Sequence, residues 1–307
     1  MRSDSPVEEQ MPIAENISEL KLNRIVVATD FKSEAETATE FAGLLAKHFS
    51  SDLTIAHVLD LSLATRSESA VPGWPLDKMR HDSAENMEHT LSQLTGQGFQ
   101  VHSRQIESHN PAASIVSLAE TSDADLLVIG TSSRHGLSKL IVGSCAEGVI
   151  HHAKCPVVTL GPKAKRSFEN GLNLKTVIFA TDLHHEAKEK AAMALAFAKE
   201  SLAKVYMCHI LETLPADRFD VADLRCDSEL ALLRLVPTST YDWCTMEYVI
   251  VSGDAGQRIV ELAKQTGADL IVLGARRTTS YLTRMAKSVV EHVLANSECP
   301  VMTICTD

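Results

Sequence analysis

The stretch "RIVVATDFKSEAETATEFAGLLAKHFSSDLTIAHVLD" (24–60) lies over "TVIFATDLHHEAKEKAAMALAFAKESLAKVYMCHILE" (176–212) without a gap, setting Asp30 on Asp182 and His57 on His209, each pair 152 residues apart. A later block repeats as well: "ADLLVIG" (124–130) over "ADLIVLG" (268–274) and "CPVVTL" (155–160) over "CPVMTI" (299–304), both 144 apart. One unit of about 140 residues has been duplicated, the second copy being a net eight residues shorter between the two blocks. Gly, Pro, Lys and Asn cluster in "GPKAKRSFENGLN" (161–173), which marks the connection. The chain therefore divides into a mobile acidic tail (1–21), a first domain (22–162), a linker (163–173) and a second domain (174–307).

Within each unit the hydrophobic period alternates between strand and helix. "RIVVATD" is a short β-branched run. Ala38, Phe41, Ala42, Leu45 and Phe49 then recur at spacings of three and four, so a strand feeds an amphipathic helix. "LTIAHV" (53–58) reads as the second strand. Met87, Leu91 and Leu94 mark a second helix, "FQVHSRQI" (99–106) a third strand, and Pro111 opens a helix carrying Ile115, Leu118 and Ala119. "DLLVIG" (125–130) and "PVVTL" (156–160) are the fourth and fifth strands, with a helix starting near Ser144 between them. Near-continuous apolar strands separated by helices predict parallel βαβ units. The expectation is an α/β protein of two tandem doubly wound, Rossmann-like domains. Each has a five-stranded parallel sheet with helices on both faces, and a pseudo-two-fold axis relates the two.

Composition limits the function classes. The 307 residues are 45% hydrophobic, with a formal net charge of −11 and no visible basic stripe, which argues against a nucleic-acid surface. No apolar run approaches 18 residues, and the opening "MRSDSPVEEQMPIAENISEL" is polar and acidic, so neither a membrane span nor a leader is expected. Seven cysteines, never spaced C-x-x-C, read as reduced thiols of a cytoplasmic protein.

In a doubly wound fold, ligands sit outside the carboxyl ends of the strands where strand order reverses. Two segments leave such ends with suggestive chemistry: "ATDFKS" after the first strand, and "VIGTSSRHGLSKLIVGS" (128–144) after the fourth. Gly130 gives the chain room to turn, and Gly143-Ser144 opens a helix whose free N–H groups and dipole favour an anion such as phosphate. Asp30 is placed to accept hydrogen bonds from a ribose hydroxyl or an adenine amino group. Each feature also has a plain structural reading: Gly143-Ser144 and Asp30 as helix caps, His57 and His209 as histidines satisfied within the fold. The adjacent pairs His151-His152 and His184-His185 point about 100° apart on a helix and cannot share a metal ion.

The combination of "VVATDFKSEAETATEFAGLLAK", "ADLLVIGTSSRHGLSKLIVGSCAEGVI" and "HHAKCPVVTL" resembles the universal stress protein family in its tandem form, over nearly all of 22–160 and 174–305. The ATP-binding branch of that family carries G-x2-G-x9-G-[S/T]. This chain has Gly130, Gly143 and Ser144 at those positions, with Ser133 in place of the middle glycine. The resemblance implies an ATP site, with or without Mg2+. In it Ala28, Thr29 and Asp30 lie by the adenosine, Val58 by the base, Gly130, Thr131 and Ser133 along the phosphates, and Gly143, Ser144 and Cys145 offer backbone N–H groups. In the second copy Gly274 remains, but Arg277 and Lys287 replace the other two glycines. Loss of nucleotide binding there is expected, the alternative being another anion held by Arg276, Arg277 and Lys287.

Three function classes follow. The first is a regulatory protein that holds ATP in its first half, forms a homodimer and acts on an unidentified protein partner. The second is a non-binding scaffold of the same fold whose halves pair and then dimerise, the last strands, here "PVVTL" and "PVMTI", often making that contact in the family. The third is a slow ATP-hydrolysing enzyme; an adenosine-activating type would need a glycine-rich loop after the first strand, and "TDFKSEAET" contains no glycine.

Overall fold

The computed structural model describes residues 17, 19–62, 74–131, 143–164, 172–184, 186–211, 221–275 and 289–305. The first half runs β1 (Arg24–Ala28), α1 (Ser33–Phe49), β2 (Asp52–Asp60), α2 (Trp74–Gly96), β3 (Val101–Ser108), α3 (Pro111–Thr121), β4 (Leu126–Gly130), α4 (Ser144–His152) and β5 (Val157–Leu160). The second half repeats the order as β6 (Thr176–Ala180), α5 (Ala187–Glu200), β7 (Lys204–Leu211), α6 (Val221–Leu233), β8 (Met246–Ser252), α7 (Ala255–Thr266), β9 (Leu270–Ala275), α8 (Val289–Asn296) and β10 (Val301–Cys305). A short 3₁₀ turn (Thr238–Asp242) precedes β8.

Each half is a parallel five-stranded sheet, as the sequence pattern predicts, and the two are fused. The strand order is β3-β2-β1-β4-β5-β10-β9-β6-β7-β8. The join is antiparallel, with Val301 opposite Thr159 and Thr303 opposite Val157. Antiparallel pairing of equivalent strands is what a pseudo-two-fold axis demands. It also gives two apolar edge strands each a partner for the backbone groups they would otherwise leave unpaired. β5 and β10 are buried along their whole length.

Alternation along the strands divides the interior into two layers, one on each face of the sheet. Ile25, Val27, Leu126 and Val128 join Val177, Phe179, Leu270 and Val272 beneath α1, α2, α5 and α6. Val26, Ala28, Leu127 and Ile129 join Ile178, Ala180, Ile271 and Leu273 beneath α3, α4, α7 and α8. The duplicated residues do duplicated work. Asp125 accepts from the backbone N–H groups of Asn23 (2.7 Å) and Arg24 (2.9 Å), and Asp269 from those of Lys175 (2.8 Å) and Thr176 (2.9 Å). Asn110 caps α3 by accepting from Ala113 N–H at 3.2 Å, and Asp254 caps α7 from Gln257 N–H at 2.8 Å. One close contact keeps its place with the sizes exchanged. A Cβ on Gly148 would lie 2.7 Å from Ala112 Cβ, and one on Gly256 2.8 Å from His292 Cβ.

The expectation of a mobile tail through residue 21 needs correction at its end. Residues 1–16 and 18 lie outside the described residues, but Ile17 and Leu22 are buried with the first core layer. The Ile17 carbonyl accepts from Lys199 Nζ of α5 at 3.3 Å, so the approach to β1 reaches across to the second half. Apolar side chains inside an otherwise acidic stretch explain the difference. In the expected linker, Lys163 Nζ donates to Asn296 Oδ1 at 2.9 Å and Leu172 packs on the core; residues 165–171 lie outside the described set.

Candidate functional site

At the end of β1 the chain turns through a fixed set of hydrogen bonds. Thr29 is buried, its N–H donates to the Ala56 carbonyl at 2.9 Å, and its Oγ1 accepts from Phe31 N–H at 3.0 Å. That turn places Phe31 at φ 59°, a conformation costing a non-glycine residue about 1–2 kcal/mol. The turn presents the half-exposed Asp30 carboxylate outward, where it pairs with Lys32 Nζ at 2.7 Å and accepts from Lys32 N–H at 3.2 Å. His57 on β2 donates through Nδ1 to the Thr29 carbonyl at 2.8 Å, and its ring lies 4.5 Å from that of Phe31. Burial is the main influence on His57 and lowers its pKa, while the Thr29 carbonyl and Asp30 act in the opposite direction. His57 is thus a satisfied histidine that braces the turn, as read from the sequence.

The end of β4 and the start of α4 complete the rim. A Cβ on Gly130 would lie 2.5 Å from the Glu34 carbonyl oxygen and 2.7 Å from Ala35 N, so this glycine is required because the first turn of α1 rests on it. Thr131 is buried, and both its N–H (2.9 Å) and its hydroxyl (3.4 Å) point to the Leu160 carbonyl. Within the fold, then, close packing requires the one residue, and the Leu160 carbonyl of β5 takes the polar groups of the other. Ser133 lies outside the described residues.

Gly143 behaves differently. It is the N-cap of α4 with φ −63° and ψ 146°, angles any residue adopts, and nothing lies within 4 Å of where its Cβ would be. Neither strain nor packing by the described residues accounts for a glycine there. It provides no side chain to accept from the first-turn N–H groups of Ser144 and Cys145. The Cys145 thiol is pushed up to about 11, first by burial and then by the negative charge of Asp30 and Asp60. That coupling shows that the ends of β1 and β2 converge on the start of α4. Val58 and Cys145 pack against the same core layer as Ala28. Asp30, which follows Ala28 and Thr29, and Asp60, two residues past Val58, thus stand on the same side of the sheet as the Gly143–Cys145 helix start. Asp60, Phe31 and Lys32 belong to this rim too and were not singled out in the sequence. Asp60 could have been found as the second carboxylate closing a strand of the same half.

The second half rebuilds the first-strand turn faithfully. Leu183 sits at φ 60° with its N–H donating to Thr181 Oγ1 at 3.0 Å, and His209 Nδ1 donates to the Thr181 carbonyl at 2.8 Å. Asp182 accepts from His184 N–H at 3.4 Å, and His184 Nε2 stands 3.6 Å from its carboxylate. Difference enters at Gly274. A Cβ there would meet the Lys190 side chain, Nζ at 3.1 Å, instead of a helix backbone. His185, Arg276, Arg277, Lys287 and Ser288 lie outside the described residues. Among the described residues no group of three His, Cys, Asp or Glu side chains could hold a metal ion, and His152 Nδ1 donates to the Gly148 carbonyl at 2.8 Å. All seven cysteines are free thiols.

The same fold and the same duplication occur in known proteins. The model of the universal stress protein family matches this chain twice, over residues 21–160 and 173–304. The chain belongs to that family. A universal stress protein of Methanocaldococcus jannaschii is 31% identical over 139 residues, 45% of this chain and 81% of the relative. A putative universal stress protein of Staphylococcus epidermidis is 31% identical over 142 residues, 46% of this chain and 85% of the relative. Each such relative corresponds to about one half of this tandem universal stress protein. The crystal structure of a universal stress protein from Archaeoglobus fulgidus covers 94% of this chain and 98% of its own, with a TM-score of 0.72 at 19% identity, which establishes the shared fold. Among the described residues of this universal stress protein, no helix is long and apolar enough to cross a membrane.

Proposed function

We propose that this universal stress protein binds one adenine nucleotide of the ATP class in its first half and works as a regulatory protein that signals occupancy. The observation that carries the reading is Gly143. A glycine stands at the N-terminus of α4 with ordinary backbone angles and open space in place of a side chain, and the Asp30 and Asp60 carboxylates lie close enough to bear on Cys145 in the same first turn. A helix start with no side chain in front of it lets phosphate oxygens reach its N–H groups. Asp30, held outward by the Thr29 turn, is oriented to accept from the nucleoside, and Lys32 offsets part of its charge. Val58, Ala28 and Cys145 supply the apolar wall against which a base packs.

Regulation is favoured over catalysis because two of the rim's titratable groups, His57 and Cys145, are ill placed to act as a base. His57 is half-buried and committed to the Thr29 carbonyl, and the Cys145 thiol stays protonated at neutral pH. A scaffold reading draws on one observation, the β5–β10 pairing that joins the halves. We assign that role to the second half. A homodimer would use other surfaces, because these strands already pair within the chain. The test is to extract the purified protein and identify what it carries. An adenine nucleotide near one per chain is expected. Protein that carries none, and takes up none from millimolar ATP, would leave the scaffold reading.

A further inference from the structure

The two halves differ in how the first helix meets the sheet. α1 begins at Ser33, and its first turn rests on Gly130 through the Glu34 carbonyl. The equivalent helix, α5, begins at Ala187, two residues later in the repeat, with Glu186 as its N-cap. The place that the α1 backbone takes over Gly130 is taken over Gly274 by a side chain. Lys190 Nζ, Cδ and Cε would stand 3.1, 3.2 and 3.4 Å from a Cβ at Gly274. Lys190 stands where the first half has the fully buried Ala38. Its side chain is 10% exposed, and Nζ pairs with Glu186 at 2.8 Å. Glu186 matches Glu34, whose carboxylate instead accepts from the Ser33 hydroxyl at 2.9 Å. One alanine-to-lysine exchange thus accounts for an ammonium beneath the carboxyl end of β9 and a new partner for the glutamate.

We propose that the Lys190 side chain, its stem filling the space over Gly274, holds the first turn of α5 away from β9 and fixes the second half in a form that does not accept a nucleotide. The asymmetry between the halves is then set in the body of the domain as well as in the loop after β9. A nearly buried ammonium needs its counter-charge close by, and Glu186, one turn earlier, supplies it at 2.8 Å. Extending α5 by two residues would bring its backbone into the space the lysine stem fills. Lys190 is a positioning residue: it shapes the rim without touching a ligand.

The inference rests on the reading that the first half binds nucleotide, and two readouts separate the two claims. The first is hydrogen exchange of the full chain without nucleotide. In Lys190→Ala the turn at 187–189 should close on Gly274 as α1 closes on Gly130, and its amides should exchange at least tenfold more slowly. Lys190→Met, which keeps the stem, should leave the turn out. Faster exchange in Lys190→Ala would mean the lysine only fills a gap, and would overturn the inference whatever the chain binds. The second is the ATP count in a chain whose second loop is matched to the first by Arg277→Ser and Lys287→Gly. It should stay at one per chain, and rise to two on adding Lys190→Ala. A count of two before Lys190 is changed, or of one afterwards in a folded protein, would also overturn it. A wild-type count of zero would refute the nucleotide reading and leave the exchange experiment to decide this one.

Discussion

The halves of this chain share a strand order, a half-buried aspartate latch and a strained turn after the first strand, yet they part company where a ligand would sit. At the end of β1 and of β6 a threonine, a left-handed residue (Phe31, Leu183) and a histidine recur in the same places, with bond lengths that agree. At the end of β4 and of β9 the glycine is kept but its neighbour changes from helix backbone to a lysine side chain. The turn survives duplication because it is a device of the fold. An element kept in both copies says little about binding; the informative residues are those the second copy has let go, Gly143 first among them.

The largest expected effect bears on that kept glycine. Gly130→Ala forces a Cβ against rigid backbone at 2.5 Å and should cost about 3 kcal/mol of stability in urea unfolding. Gly274→Ala meets the far end of a flexible lysine at 3.1 Å and should cost under about 1 kcal/mol. Equal costs would show that the two helix starts are alike after all. Next comes the ligand: ATP at 100 times its dissociation constant should stabilise the wild type by about 2.7 kcal/mol and leave Gly143→Lys unmoved. Asp30→Ala should then weaken ATP binding by about 2 kcal/mol, through loss of charge-assisted hydrogen bonds, while Asp182→Ala leaves affinity unchanged. A matching loss from Asp182→Ala would place a live site in the second half.

The smallest effect is on pH dependence. Burial lowers the His57 pKa in the folded protein, so the unfolded chain binds the proton more readily. Stability from this group is complete above the ordinary histidine value of about 6.5 and falls as the pH drops below it toward the folded value. His57→Gln should therefore flatten the decline in stability between neutral and mildly acid pH. An unchanged slope would mean that His57 does not titrate with unfolding.

Much of this architecture was legible because the repeat carries it: offsets of 152 and 144 set the two copies against each other, and hydrophobic period set strand against helix. The antiparallel join of "PVVTL" to "PVMTI" could be expected from two equivalent apolar edges. What stayed hidden depended on contacts between distant segments. Gly130 reads as a loop glycine, whereas the chain needs it because α1, which begins beyond Asp30, rests on it. Lys190 sits in a helix rich in alanine and lysine and reads as a surface residue. Only the fold shows its stem beneath β9 and its charge against Glu186. Ile17 was masked by the acids around it. Asp60 ends a strand as an ordinary polar residue would, and joins the rim only when β2 lies beside β1.

The most direct test of the central claim is calorimetric titration of the full chain with ATP, beside the Gly143→Lys variant. The account predicts one nucleotide per chain in the wild type and none in the variant, which should remain folded because nothing lies within 4 Å of the substituted position. A stoichiometry of two, or binding that survives Gly143→Lys and is lost when Arg277 and Lys287 are changed, would contradict it and move the site to the second half.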